Sequence, residues 1–179
     1  GGWDYAPKTI YAPDFVRRGY DRGVPMGGTL PQTQETTSSG PVFLVQALKD
    51  PEDANLDRIQ IIKGWVDVDG KAQHKIYDVA LSDSRVVDPK TGKAPSVGNS
   101  VDLESVSYTN EIGAAQLSAQ WTDPEFDIAQ QAFYYARVIE IPKPRWTEYD
   151  RKFFGMQASS APRTVQDRAY SSPIWFSPR

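Results

Sequence analysis

One stretch near the carboxyl end of the chain combines guanidinium groups, aromatic rings and a carboxylate. Its members are Arg137, Glu140, Arg145, Trp146 and Tyr149, with Lys143 between them. A guanidinium can bind a phosphate or carboxylate through two parallel hydrogen bonds, and an indole ring offers a flat surface for stacking. The stretch is therefore a candidate binding site for an anion or a sugar. The alternative is a structural role, in which Arg145 pairs with an acid and Trp146 closes one end of a β-sandwich.

The histidine and cysteine content excludes several kinds of catalytic and metal site. The chain has one histidine, His74, and no cysteine. It therefore lacks the ligands for a thiolate zinc site, the nucleophile for thiol catalysis and the residues for a disulfide. A metal centre built from several histidines is excluded for the same reason, and we predict no metal or cofactor site in this chain. A catalytic triad is not favoured, because Asp78 lies four residues along the same strand from His74.

A group of carboxylates offers a second kind of chemistry. Its members are Asp123, Glu125, Asp127 and Glu140. Glycoside hydrolysis requires two carboxyl groups roughly 5–10 Å apart in a cleft. The sequence does not give their separation, and a chain with 23 acidic residues contains such groups by chance. We therefore give the pattern little weight.

Length, charge and hydropathy limit the class of protein. A chain of 179 residues has the size of one domain, or of one domain with a long tail. Its net charge of −3 argues against nucleic acid as a partner, because binding through bulk charge requires a basic surface. No apolar run approaches the roughly 20 residues of a membrane-spanning helix. The aromatic content of 12% indicates that large rings supply much of the buried area.

The elements that must position the candidate residues are mostly β-strands. Residues 42–48, 113–121 and 132–141 have the short apolar or alternating pattern of strands, and 171–178 reads as a short closing strand. With 13 Gly and 14 Pro, the composition favours many turns over long helices. The predicted fold is mainly β, a β-sandwich of about six to eight strands with one or two short helices and long loops.

A hairpin is predicted where Asp69-Gly70 joins two β-rich runs. A two-residue turn places Trp65 opposite His74 and Ile62 opposite Tyr77, and we expect His74 to pack beside Trp65. Both faces of this hairpin carry apolar residues, whereas a hairpin with one solvated face would alternate cleanly. We therefore expect it to be covered on both sides, by a second sheet and by a further layer.

The N-terminal region differs in character from the rest. Residues 1–40 form an irregular segment with one short helix at Asp14–Asp21, and its polar end at 29–40 is expected to be an exposed loop. Residues 41–179 are expected to form the β-sandwich, within a single domain overall. The chain opens on two glycines and a tryptophan without Met, so we interpret it as a piece of a longer polypeptide.

Several stretches together resemble the C-terminal part of the domain-of-unknown-function 3604 family. These stretches are spread over most of the chain and follow one another in the expected order. They are GVPMGGTLP (23–31), LKDPEDANLDRIQIIKGWVD (48–67), KIYDVALSD (75–83), WTDPEFDIAQQAFYYARVIEIPKPRW (121–146) and QDRAYSSPIWFSP (166–178). Members of that family are larger proteins, and their N-terminal part resembles the polymerase and histidinol phosphatase (PHP) superfamily of metal-dependent hydrolases.

The resemblance implies a role beside a catalytic domain. PHP chemistry uses clustered His and Asp/Glu residues around divalent metals that activate water, so these metals would lie in the missing N-terminal part. This chain would be a non-catalytic C-terminal accessory domain, with that N-terminal catalytic-type domain of the same polypeptide as its partner. The resemblance also favours a periplasmic or exported location. The alternative function is a free-standing β-sandwich that binds carbohydrate, since exposed rings stack on sugars.

Overall fold

The structure is a computed structural model that describes residues 1–32, 40–157 and 160–178. The expected loop at 29–40 therefore lies partly outside the described residues. The elements follow one another along the chain as a 3-10 helix (Thr9–Tyr11), α1 (Phe15–Arg22), β1 (Val42–Leu48), β2 (Leu56–Val66), β3 (Ala72–Leu81), β4 (Gln116–Thr122), β5 (Ala132–Glu140), β6 (Lys143–Pro144), α2 (Trp146–Phe154), β7 (Thr164–Val165), β8 (Arg168–Tyr170) and β9 (Ile174–Phe176). None of the described helices is long and apolar enough to cross a membrane.

The mainly β prediction is confirmed. The described residues contain nine strands and two short α-helices, and every strand pair is antiparallel. The strand count exceeds the expected six to eight because four of the nine strands are only two or three residues long. Short strands of this kind leave no periodic pattern in the sequence.

The strands form two layers. The larger layer has five strands in the order β3-β2-β5-β8, with β9 pairing a second part of β5. The smaller layer is a ribbon of β1 and β4. The remaining strands, β6 and β7, form a short pair of their own. β2 and β5 are the central strands, and each pairs with neighbouring strands along both of its edges.

The core lies between the ribbon and one face of the five-stranded sheet. Phe43 on the ribbon packs on Tyr134 of β5 with ring centroids 4.7 Å apart. Trp121 of β4 packs on Tyr77 of β3 at the same centroid distance. Ile61 and Phe176 are buried in the same cluster. The opposite face of the five-stranded sheet, which we call the open face, turns away from this core.

The predicted hairpin register is wrong by one residue. His74 lies opposite Gly64, and Trp65 lies opposite Gln73. The turn is longer than two residues, because Asp67 and Lys71 are linked by a backbone hydrogen bond and Gly70 adopts a positive φ of 76°. This extra residue shifts the pairing and places His74 and Trp65 on opposite faces of the sheet. Trp65 packs toward the core, while His74 is on the open face and exposed.

The N-terminal segment contributes to the same core. The helix predicted at Asp14–Asp21 is present as α1, shifted by one residue. Tyr5, Ile10 and Leu30 are buried, and Leu30 belongs to the main cluster with Phe43. Backbone bridges tie Gly2 to Val42 on the edge of β1. The described part of the segment, residues 1–32, is therefore part of the packed structure.

Candidate functional site

The five predicted binding residues do not form a single site. Arg137 lies on the open face, Glu140 lies in an ion-pair cluster, and the other three lie together at the start of α2. Those three are Arg145, Trp146 and Tyr149. The chain turns sharply after β5, so residues that are close in sequence separate onto different surfaces.

Strand pairing arranges the open face as three rows that cross the sheet. Directly paired residues of antiparallel strands point to the same side. The first row is His74, Gly64, Phe133 and Trp175; the second is Ile76, Ile62 and Tyr135; the third is Asp78, Gln60, Arg137 and Tyr170. The face therefore joins an aromatic area to a polar row.

The aromatic rings of the open face form a continuous strip. Phe133 lies 5.2 Å from Trp175 and 6.3 Å from Tyr135, measured between ring centroids. Tyr135 lies 6.2 Å from Tyr170. Trp175 and Tyr170 are exposed, whereas the two middle rings are half-buried. Gly64 permits this arrangement, because a Cβ there would come within 2.3 Å of the Phe133 ring.

The polar row places Arg137 beside the strip. Its Nε donates a hydrogen bond to Gln60 Oε1 at 2.8 Å, and Gln60 Nε2 donates to Asp78 Oδ1 at 2.7 Å. Arg58 continues the row by pairing with Asp78 at 3.3 Å. Carboxylate, amide and guanidinium groups thus lie next to stacked rings. This combination can hydrogen-bond and stack on a flat polar ligand.

Glu140 belongs to a cluster around the Lys143 ammonium. Lys143 Nζ lies 2.5 Å from Asp53, 3.1 Å from Glu140 and 2.8 Å from Asp167. Carboxylate oxygens of these three acids lie within 4.8 Å of one another, which is close enough to hold a metal ion. In this arrangement the ammonium supplies the positive charge that the carboxylates require. The cluster therefore joins β5, β6 and two loops as an ion-paired support.

The electrostatics of the cluster follow from burial and from this shared cation. Burial outweighs the hydrogen bond from Lys143 and raises the pKa of Glu140. For Asp53, burial acts to raise the pKa, but hydrogen bonds from Lys143, the Ala54 amide and the Tyr108 hydroxyl together lower it. The pKa of Lys143 is raised because its three hydrogen-bonded carboxylates outweigh its own burial. The pKa values of Asp53, Glu140 and Lys143 therefore depend on one another.

The start of α2 presents an exposed aromatic face. Trp146, Tyr149 and Phe153 follow the i, i+3, i+7 spacing of one helix face, and they are 68%, 47% and 83% exposed. The Arg145 guanidinium precedes them and makes no hydrogen bond or ion pair with the residues that the structure describes. The predicted pairing of Arg145 with an acid is not found there, and Trp146 does not close the sandwich. We call these four residues the α2 face.

The opposite side of α2 anchors it to the domain. The Glu148 carboxylate accepts hydrogen bonds from Arg151 and Arg163, which lower its pKa. Glu148 lies in the first turn and Arg151 in the last, which suits the helix dipole. Gly155 ends the helix with a φ of 63°. The aromatic side chains therefore point outward because the polar side of the helix is the fixed side.

The other acids considered for catalysis are tied to lysines. Asp123 pairs with Lys63 at 2.6 Å, and Glu125 pairs with Lys75. Asp127 accepts a hydrogen bond from the Ala129 amide within a turn. With Glu140 bound to Lys143, three of the four carboxylates face a lysine rather than each other.

Sequence reasoning missed the open face as a site. Phe133 and Tyr135 are two residues apart in β5, so they lie on the same side of that strand. The missing information was the pairing of β5 with Trp175 and Tyr170. The strand at 171–178 is indicated by the sequence, but the pairing of β8 and β9 with β5 joins residues distant along the chain, so no local pattern indicates these contacts.

Comparison with known families finds one match over almost the whole chain. A family model described as "Protein of unknown function (DUF3604)" matches residues 1–178. No curated protein and no solved structure matches this chain.

Proposed function

Because the chain belongs to the DUF3604 family, we propose that it is a non-catalytic accessory β-domain of a larger, PHP-like metal-dependent hydrolase homologue. In this role it packs against the catalytic domain of the same polypeptide. The support from composition is that one histidine and no cysteine cannot build a metal centre with several imidazole ligands. The divalent metals of such a protein would then belong to the N-terminal catalytic part.

The observation that carries the proposal is the α2 face. Three aromatic rings on one side of a nine-residue helix are exposed, although burying each ring would lower the free energy. Contiguous exposed apolar surface of this kind marks an interaction site. A partner domain that covers Trp146, Tyr149 and Phe153 would bury them in the way that aromatic anchors are buried at interfaces.

Arg145 gives this interface a chemical role. Its guanidinium stands at the edge of the α2 face and has no partner among the described residues. A catalytic site that handles phosphate esters is rich in negative charge when substrate is bound, and a guanidinium binds such groups with two hydrogen bonds. In the proposed arrangement Arg145 lies at one wall of the active-site mouth.

The test is the Arg145→Ala variant of the longer polypeptide. We expect a fall in kcat/KM for a phosphoester substrate of about tenfold, with an unchanged melting temperature. Arg17→Ala is the matched control, because Arg17 is an exposed arginine of α1 on another part of the surface. Equal activity of Arg145→Ala and wild type, or a lower melting temperature with proportionate loss of activity, would contradict the proposed role.

The isolated chain offers a second check on the same proposal. We expect no turnover of bis(4-nitrophenyl) phosphate by residues 1–179 in the presence of Mn²⁺, Mg²⁺ or Zn²⁺. Metal-dependent turnover that survives repurification would show that the chemistry resides in this chain. That result would overturn the accessory role.

A second candidate function is carbohydrate binding at the open face. The observation that favours it is the strip of rings from Trp175 to Tyr170 beside the polar row with Arg137, because sugars stack on rings and hydrogen-bond to such groups. The Trp175→Ala variant is expected to weaken retention of the chain in gels that contain a soluble polysaccharide. Trp146→Ala is the matched control, since it removes an exposed tryptophan from the other surface. If the wild-type chain migrates equally far in gels with and without each polysaccharide, the result would argue against this function.

A further inference from the structure

The ribbon layer has one open edge beside a groove. In β1, the backbone groups of alternate residues bond to β4 and the others point the opposite way. Lys49 N donates to Ala115 O at 2.9 Å, which places the odd-numbered residues toward β4. The N–H and C=O groups of Leu44 and Gln46 therefore point away from β4. They have no hydrogen-bond partner among the described residues.

A groove lies beside this edge. Its volume is about 650 Å³, and its floor is the edge of β1 at Leu44 and Gln46. One wall is α1, with Val16 and Tyr20. The other wall is the core side of the five-stranded sheet, represented by Val138. The opposing sheet has five strands while the ribbon has two, so an added strand here would cover apolar surface that the ribbon leaves open.

The first two residues already occupy the beginning of that strand position. Gly2 exchanges both backbone hydrogen bonds with Val42, at 2.9 and 2.7 Å, in antiparallel orientation. Gly1 exchanges both of its bonds with Val24 on the other side, at 2.9 and 2.8 Å. Traced backward from Gly1, the direction of this segment runs along the edge of β1 and into the groove.

We propose that, in the longer polypeptide that the proposed function assigns to this chain, the residues leading into Gly1 form a strand along β1. The inference rests on that proposed function and names the segment that fills the groove. In the register set by Gly2 and Val42, the residue immediately before Gly1 pairs with Leu44. The third residue before Gly1 pairs with Gln46. This is β-augmentation of an exposed sheet edge within one polypeptide.

The register also predicts the side chains of the added strand. A Cβ on Gly1 would point at Phe43 and Ile174, on the core side. Because side chains alternate along a strand, the second and fourth residues before Gly1 face the core wall of the groove. We expect both to be apolar.

Hydrogen exchange of the β1 amides tests the proposal. Residues 42–48 are compared by mass spectrometry in the longer polypeptide and in the chain that begins at Gly1. We expect the Leu44 and Gln46 amides to exchange at least tenfold more slowly in the longer polypeptide. Equal rates in the two proteins would overturn the proposal. Protection in the longer polypeptide that rises with protein concentration would also overturn it, since a second copy would then occupy the edge.

A proline variant supplies a second readout. Leu44→Pro removes the outward N–H and leaves the bonds to β4 intact, because a proline is tolerated where its nitrogen points away from the ladder. It should abolish the protection of Gln46 in the longer polypeptide, whereas Leu44→Val should retain it. If Leu44→Pro does not fold, the wild-type comparison still decides.

The same samples separate this inference from the proposed function. Slow exchange of Leu44 and Gln46 without any metal-dependent hydrolysis by the longer polypeptide would support the strand and contradict the hydrolase assignment. Metal-dependent hydrolysis by the longer polypeptide together with fast exchange of the Leu44 and Gln46 amides would support the hydrolase assignment and contradict the added strand.

Discussion

At the scale of single residues, Lys63 shows how a charge is accommodated inside this sandwich. It lies in β2 with 4% of its side chain exposed, and its ammonium contacts Asp123, whose side chain is fully buried. Tyr134 donates a hydrogen bond to the same carboxylate at 2.8 Å, and the Glu125 carbonyl accepts one from Lys63 at 2.7 Å. Each polar atom is therefore satisfied inside the core, as a buried ion pair requires.

Removing one partner of this pair should be costly. We expect Lys63→Met to lower the free energy of unfolding by about 3–5 kcal/mol, because Asp123 is then a buried charge without its counter-ion. The double variant with Asp123→Asn should lose less than the sum of the single losses. Urea denaturation of wild type, the two single variants and the double variant gives the coupling free energy between Lys63 and Asp123. Lys75→Met is the control, since its pair with Glu125 is half exposed and should contribute no more than about 1 kcal/mol.

The Lys143 cluster predicts a pH-dependent contribution to stability. The lowered pKa of Asp53 stabilises the folded state above the unfolded pKa of this group, and that stabilisation is lost as the pH falls through the folded pKa. The raised pKa of Glu140 acts in the opposite direction, because its ionisation in the folded state is opposed by burial. Lys143 offsets this cost at neutral pH.

We therefore expect Lys143→Met to lower stability by about 1–2 kcal/mol at pH 7, a value that allows for solvent screening of Asp53 and Asp167. The difference from wild type should shrink as the pH falls from 5 to 3 in urea titrations, because protonated carboxyl groups no longer need the ammonium. A difference that is constant from pH 7 to pH 3 would contradict this account.

At the scale of elements, the β2–β3 turn sets the register of the hairpin. The Asp67 carboxylate accepts hydrogen bonds from the amides of Asp69 and Lys71, and Gly70 adopts a left-handed conformation. The type of turn thus adds one residue and determines which side chains of β3 reach the open face. His74 and Asp78 are on that face for this reason.

Gly70→Ala tests the importance of the left-handed residue. Nothing lies within 4 Å of the added methyl group, so the expected loss of about 1 kcal/mol comes from the backbone conformation alone. Thermal unfolding measures it. Val68→Ala is the matched control in the same turn, because Val68 is 98% exposed and should change stability by no more than about 0.5 kcal/mol. Equal melting temperatures for Gly70→Ala and wild type would contradict the assignment of this turn.

At the scale of the whole molecule, the N-terminal segment and the sandwich share one core. Trp3 lies 5.3 Å from Phe126 and 5.9 Å from Phe176, measured between ring centroids. Leu30 is 2% exposed and packs in the same cluster. The division at residue 40 that we predicted is a change in regularity along the chain, and the contacts cross it.

Deletion of residues 1–31 should therefore unfold or strongly destabilise the protein. Burial of Tyr5, Ile10 and Leu30 contributes about 1.5–3 kcal/mol each, and their sum is comparable to the stability of an ordinary domain. We expect loss of the cooperative transition in circular dichroism together with binding of a hydrophobic dye. Leu30→Ala, a control that keeps the segment, should cost about 2–5 kcal/mol and remain folded. A cooperative fragment 32–179 with an unchanged midpoint would show that residues 1–31 are not part of the folding unit.

Local sequence patterns predicted the long strands β1–β5, the closing strand and helix α1, but they did not predict α2 or the short strands β6–β8. The alternation in β5 separated Tyr134 from Phe133 and Tyr135, and the exclusion of thiolate and multi-histidine sites followed from the counts alone. Local periodicity is sufficient for such results, since it depends on neighbours within a few residues. Even so, the hairpin register differed by one residue, because the type of turn is set by backbone conformation rather than by the Asp-Gly pair alone.

The distribution of the candidate residues over the surface depends on how the whole chain folds. The sequence placed Arg137, Glu140 and Arg145 in one cluster, while the folded chain puts them on the open face, in the Lys143 cluster and on the α2 face. The aromatic strip depends on Trp175 and Tyr170 reaching β5, and the groove depends on Gly1 and Gly2 meeting the edge of β1. Such contacts join residues that are far apart along the chain. Their positions depend on which strands pair and where loops return, and neither is encoded in a short local pattern.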